Sequence, residues 1–219
     1  MIWFLKKKSK DMPPFWTAYE KTFDQRLPSD INEIRFVVLD TETTGFNYDK
    51  DRMLCIGAIS LTNGTIPLQD SLEVFIQQDH YDAESAKIHG ILKRGAMERV
   101  SELQALQHFL EYVGNAVVVA HHAKFDITMI NRALERNGLP KLKNKVLDTA
   151  VLYKRTLLLS NLIERKETYK LDELADKFDI SKKDRHTALG DAYITAIAFL
   201  KILKKLRDKN GLKLKDLFR

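Results

Sequence analysis

Asp40 and Glu42 stand two residues apart, directly after the apolar run Phe36-Val37-Val38-Leu39. On an extended chain, residues i and i+2 point to the same side. Two carboxylates would then converge just past a strand end, which is costly unless a cation sits between them. Hard cations such as Mg²⁺ or Mn²⁺ prefer oxygen ligands of this kind. A second Asp-x-Glu triplet, Asp82-Ala83-Glu84, lacks a preceding strand and reads as a helix start, where acidic residues are favoured. Thr43, Thr44 and Gly45 place small hydroxyls and a flexible backbone beside the first pair, suited to a sugar or a terminal phosphate.

Two more carboxylates stand in comparable places. Asp126 follows the buried-strand pattern Val117-Val118-Val119-Ala120 and a short turn, and it opens a helix. It reads equally as a helix N-cap or as a functional acid. His121 and His122 precede it, but no Cys or further His partners them at a zinc-site spacing. Asp191 lies early in an apolar helix, where a carboxylate without a partner is unfavourable. His186 precedes that helix, after the charged run Lys182-Lys183-Asp184-Arg185. It reads either as a solvent-exposed loop residue or as a general base near an activated water.

These residues need a scaffold, and the patterning supplies one. Short apolar runs rich in β-branched residues predict strands at Phe36–Leu39, Met53–Leu61, Leu72–Ile76, Ala116–Ala120 and Lys145–Asp148. The first three are joined by short turns, which favours antiparallel pairing. Helical periodicity follows over about 82–112, broken near Gly90 and Gly95. Further helices are expected at Phe125–Asn137, Thr149–Leu158, Leu171–Phe178 and Ala188 to about Leu206. The order predicts an α/β fold with a mixed five-stranded sheet flanked by helices. Before it, residues 1–33 form an N-terminal extension. There Pro13-Pro14 introduce a short amphipathic helix, and aromatics including Trp3 and Trp16 need a surface to cover. A main domain over 34–207 and a tail over 208–219 complete the division. The basic stretch Lys201–Lys209 reads as a solvated helix face or as a phosphate-contacting surface.

Composition narrows the class. The chain has 219 residues, enough for one well-buried domain. A hydrophobic fraction of 44% and a charged fraction of 30% are those of a soluble globular protein. No apolar run approaches the roughly 20 residues of a membrane helix. The start Met1-Ile2-Trp3-Phe4-Leu5 precedes its lysines, the reverse of a secretory signal, so the expected setting is cytoplasmic with no membrane partner. The single cysteine, Cys55, excludes an intrachain disulfide and reads as a buried core residue. A net charge of +6 suits a polyanionic partner.

Taken together, three segments resemble the motifs of the DEDD-type 3′–5′ exonucleases, in their histidine subgroup. They are Val38-Leu39-Asp40-Thr41-Glu42-Thr43-Thr44-Gly45, His121-His122-Ala123-Lys124-Phe125-Asp126 and His186-Thr187-Ala188-Leu189-Gly190-Asp191-Ala192. The nearest resemblance is to the proofreading (epsilon) subunits of bacterial DNA polymerase III, and it covers about Arg35 to Leu203. Ile88-His89-Gly90-Ile91 resembles a segment that touches the terminal nucleotide, and Val146-Leu147-Asp148-Thr149 the family's fifth strand.

The resemblance implies a ribonuclease-H-like fold and hydrolysis of a nucleic acid from its 3′ end to nucleoside 5′-monophosphates. It further implies two divalent ions, Mg²⁺ or Mn²⁺, held by Asp40, Glu42, Asp126 and Asp191, with His186 as general base. Thr43, Thr44, His89, His121 and Phe125 are the implied contacts to the terminal nucleotide, Phe125 being equally readable as core. DNA is the expected substrate, single-stranded or frayed, in proofreading or repair. An exoribonuclease acting on short RNA or transfer-RNA ends is the alternative, and a non-catalytic polymerase-associated module a third. One departure from the family pattern is His122, where Asn is usual. Polymerase-bound relatives often carry a long C-terminal tail. This chain ends at Arg219, which leaves both a free-standing nuclease and a polymerase partner open.

Overall fold

The computed structural model describes residues 12–92, 97–159, 166–207 and 211–218. Trp3, Gly95 and Lys209 lie outside the described residues.

The strand that starts at Phe36 runs four residues beyond its apolar part. Strand β1 covers Phe36–Thr43, so Asp40 and Glu42 lie within it rather than past its end. The reason is its partner. Strand β2 (Met53–Leu61) pairs antiparallel along all of β1, from Phe36 opposite Leu61 to Thr43 opposite Met53. Backbone hydrogen bonding therefore carries the strand through residues whose side chains are polar.

The remaining elements follow the expected order, with one short helix (Leu214–Leu217) in the segment expected to be a tail. Strand β3 (Ser71–Phe75) pairs antiparallel with β2. Helices α2 (Ala83–His89) and α3 (Glu102–Val113) follow, then β4 (Val117–Ala120) and α4 (Lys124–Arg136). Strand β5 (Val146–Asp148) leads into α5 (Thr149–Leu159), α6 (Leu171–Phe178), α7 (Ala188–Leu206) and α8 (Leu214–Leu217). Before them all, α1 covers Pro14–Thr22, entered through Pro13 with a proline at its first position. The sheet order is β3-β2-β1-β4-β5, with β1, β4 and β5 parallel. Asp82 does cap α2, its carboxylate accepting the Ser85 N–H at 2.7 Å.

Alternation along the strands splits the core in two. Phe36 and Val38 face a cluster that includes Phe199, Leu174 and Tyr153, from α7, α6 and α5. Val37 and Leu39 face a second cluster with Phe109, Met129 and Ile130, from α3 and α4. A strand buried on both faces has to be apolar throughout, as β1 is up to Leu39. The aromatics of α1 belong to the second cluster. Trp16 is 0% exposed, and the Tyr19 hydroxyl donates to Asn144 Oδ1 at 2.6 Å. At the other end Leu217 is buried in the first cluster, and Arg155 donates to the carbonyls of Asp216 and Leu217. Cys55 is buried, as expected. No helix among the described residues is long and apolar enough to cross a membrane.

Candidate active site

The same alternation sorts the polar end of β1. Asp40 and Glu42 share the face of Phe36 and Val38, toward α7. Thr41 takes the opposite face, toward α4. Strand β4 stops at Ala120, so these residues project past the carboxyl end of their parallel neighbour, where open α/β sheets place their ligands.

Helix α7 delivers the third carboxylate. Its first turn lies directly on β2 because residue 57 is glycine: a Cβ there would stand 2.2 Å from the Ala188 carbonyl carbon. Thr187 caps the helix, its hydroxyl accepting the Gly190 N–H at 3.1 Å. Gly190 in turn lets the preceding loop close over the helix, since a Cβ there would stand 2.0 Å from the Asp184 carbonyl oxygen. The outcome is that carboxylate oxygens of Asp40, Glu42 and Asp191 all lie within 4.8 Å of one another.

Asp126 arrives from α4 on the other side of β1. It does not cap its own helix, whose N-cap position is Ala123. Its Oδ1 instead accepts the backbone N–H of Thr41 at 3.0 Å and the Thr41 hydroxyl at 2.7 Å. The turn that brings it there is pinned by Asp148 at the end of β5. That carboxylate accepts the N–H groups of His122, at 3.2 Å, and Ala123, at 3.0 Å. His122 adopts a left-handed backbone, φ 56°. Asn and His tolerate that region better than most residues, so the backbone conformation is compatible with His122 at this position.

The electrostatics are those of a site built for a cation. Burial, with repulsion from Asp126, Asp191 and Glu42, holds the Asp40 carboxyl well above the usual carboxylate range. Burial and the charges of Asp191 and Asp126 push Glu42 up to about 7. Asp126 and Asp191 are raised as well, chiefly by burial. Asp191 Oδ1 is buried with no hydrogen-bond partner. A buried carboxylate oxygen left unpaired is unfavourable, and a hard divalent cation is the ligand that three such carboxylates fit. Asp40, Glu42 and Asp191 fit the role directly, with Asp126 beside them.

His186 sits in the turn before α7, exposed, with a left-handed backbone at φ 66°. His89 ends α2 and is buried. Its Nδ1 accepts the Ile91 N–H at 3.0 Å, while Nε2 is buried and unpartnered. It lines a cavity of about 730 Å³ together with Cys55, Phe75, Ile91 and Tyr193, and none of the four carboxylates lines that cavity. Thr43 and Thr44 lie beside Glu42, but their hydroxyls donate inward, to the Gly45 carbonyl and to Asp51. Both ring nitrogens of His121 are engaged, with Thr149 Oγ1 at 2.9 Å and the Tyr169 carbonyl at 2.8 Å. Burial lowers its pKa to about 4. His121 therefore ties β4 to α5 and to the segment before α6.

Phe125 is half-buried and belongs to an aromatic group that the sequence reading missed. Its ring centroid lies 5.6 Å from Phe46 and 5.8 Å from Tyr48. Phe46 is 81% exposed, on a loop held in shape by Asp51, Arg52 and the Asp49–Arg132 pair at 3.0 Å. The available signal was an aromatic placed in a turn between Gly45 and Asn47. Arg185, passed over as part of a charged run, pairs with Asp191 and with Asp172 of α6.

Comparison with known proteins places this arrangement. A family model described as "RNase_T: Exonuclease" matches residues 37–199. A PolC-type DNA polymerase III of Caldanaerobacter subterraneus subsp. tengcongensis is 35% identical over 177 residues, 80% of this chain. The chain spans only 12% of that relative's length. Among solved structures, cell-death related nuclease 4 superposes with a TM-score of 0.69 at 12% identity, covering 79% of this chain and 64% of that one. E. coli exonuclease I bound to a dT13 oligonucleotide superposes with a TM-score of 0.66 at 19% identity, covering 78% and 41%. Those two likenesses speak to the fold. Matched along most of its length by the family model, the chain belongs to the RNase_T exonuclease family.

Proposed function

We propose that this protein is a divalent-metal-dependent 3′–5′ exonuclease acting on DNA ends, single-stranded or frayed. The observation that carries the reading is the convergence of carboxylate oxygens of Asp40, Glu42 and Asp191 within 4.8 Å of one another. Family membership supplies the reaction class.

Asp40, Glu42, Asp126 and Asp191 would hold two cations, Mg²⁺ or Mn²⁺. The chemistry these supply when bound is activation of water and neutralisation of the charge that develops on phosphorus and on the leaving oxygen. Thr41 fixes the Asp126 carboxylate, and Asp148 fixes the turn behind it. His186 takes the proton from the attacking water, with an exposed ring on a turn next to Asp191. His89, buried at the end of α2 behind Thr43, supports the segment that meets the terminal nucleotide. Thr43 and Thr44 shape the loop below that nucleotide, and His121 braces the strand beside it. Phe46, Tyr48 and Phe125 form a stacking surface for bases, since aromatic faces accept any base. The matched polymerase relatives suggest a DNA polymerase as protein partner.

The test is a mass-resolved time course on end-labelled DNA and RNA oligonucleotides with Mg²⁺ or Mn²⁺. Successive loss of single 5′-monophosphates from the 3′ end of DNA is expected. Asp40→Ala and Asp191→Ala are expected to abolish it while leaving the fold intact; full activity in either variant overturns the assignment. Faster release from RNA would move the substrate to the exoribonuclease alternative.

A further inference from the structure

Arg185 is, among the described residues, the one cation paired with the acidic cluster. Among the described residues, no other Lys or Arg lies within ion-pair distance of Asp40, Glu42, Asp126 or Asp191. Its guanidinium has two jobs. Nε and Nη2 form a two-pronged pair with the Asp172 carboxylate, at 2.7 and 3.1 Å. The remaining Nη1 donates to Asp191 Oδ2. The side chains of Arg185 and Asp191 are only 17% and 8% exposed, so solvent screens this contact weakly.

The geometry separates the two jobs. The edge of the fork that grips Asp172 is not the group that touches Asp191. A guanidinium suits this because it is planar, permanently charged and able to bind two carboxylates at once. Asp191 also belongs to the triplet of oxygens that fits a divalent cation. A cation there and Nη1 would draw on the charge of the same carboxylate, Nη1 through Oδ2 while Oδ1 is unpaired.

We propose that Arg185 is a resident counter-cation of the site: it neutralises Asp191 in the metal-free protein, so that metal affinity is set by competition with its guanidinium for the charge of that carboxylate. The proposal rests on the metal-dependent reading above. It makes Arg185 a positioning residue, with Asp172 as its anchor.

The test is calorimetric titration with Mn²⁺ alone, without nucleic acid, on wild type, Arg185→Gln and Arg185→Lys, paired with thermal unfolding with and without Mn²⁺. Arg185→Gln is expected to bind Mn²⁺ about tenfold more tightly, because a charge-assisted bond no longer competes. Its metal-free melting temperature is expected to fall, and Mn²⁺ to raise it by more than in wild type. Arg185→Lys keeps the charge but not the fork. It is expected to fall between the two, and it carries the test alone if the Gln variant does not fold without metal. Unchanged or weaker Mn²⁺ binding in the folded variants overturns the role of Arg185 and leaves the metal site standing. A wild-type protein that takes up no Mn²⁺ overturns both.

Discussion

Thr41 donates twice to a single oxygen of Asp126, its backbone N–H at 3.0 Å and its hydroxyl at 2.7 Å. The residue between the two carboxylates of β1 thus orients a third, 85 positions away, from the opposite face of the strand. Thr41→Val keeps the shape and the backbone bond but removes the hydroxyl. A loss of about 1–2 kcal/mol in stability is expected, since the acceptor is buried and would lose a donor. Mn²⁺ affinity and turnover should fall with it. Urea unfolding beside a Mn²⁺ titration measures both, and an unchanged Mn²⁺ affinity would remove Thr41 from the site.

The carboxylates make the metal-free protein sensitive to pH. Glu42 titrates near 7 when folded and near its ordinary 4.5 when unfolded. The folded chain therefore binds more protons between those values, and stability falls as pH rises through that window. His121 works in the other direction, its folded pKa of about 4 lying below the ordinary 6.5. Comparison with Glu42→Gln isolates the carboxyl. The Gln variant should be more stable than wild type at pH 8 without metal, by on the order of 2 kcal/mol after allowance for solvent. The advantage should vanish near pH 4.5. Thermal unfolding across pH in a chelating buffer shows whether it does.

His186 combines a proposed proton acceptor with a left-handed backbone. His186→Ala and His186→Gly both remove the ring, and turnover should drop about 10²-fold or more in each. Only the alanine keeps a Cβ at a positive φ, so the glycine variant should be the more stable by roughly 1 kcal/mol. Mn²⁺ affinity should hold in both. A rate loss confined to one variant would point to the backbone rather than the imidazole.

Phe46 has little to hold it but its loop, and substitution should leave stability intact. Phe46→Ala is expected to raise KM for single-stranded DNA with kcat little changed, by an amount equivalent to about 1–3 kcal/mol for one stacked base. Steady-state kinetics on oligonucleotides of several lengths separates the two constants. An unchanged KM would make the aromatic group a surface ornament of α4.

The element order, β2, α6 and most of α7 were legible because apolar periodicity reports burial directly. Strand β1 was cut short at Leu39 because its last four residues are strand by pairing with β2, not by apolarity. Asp40, Glu42, Asp126 and Asp191 were legible as motif residues, although the first two stand inside β1 rather than past its end. Arg185, Asp148 and Phe46 were not. Arg185 acquires its role from Asp172, on another helix, and Asp148 from the turn it pins across the sheet. Neither relationship leaves a local spacing to read. The tolerance of position 122 for histidine depends on a backbone angle that residue type alone does not reveal.

At Gly57, α7 meets β2 main chain to main chain, with no side chain between. Gly57 pairs with Asp40 across the sheet, and Ala188 lies three residues before Asp191. The separation of those two acids is consequently written in bond lengths and strand pairing, not in the fit of a hydrophobic interior. The rest of the core can drift in volume while the acids keep their spacing. A single methyl at residue 57 has no rotamer into which it can retreat, and it would wedge the two halves of the cation cradle apart.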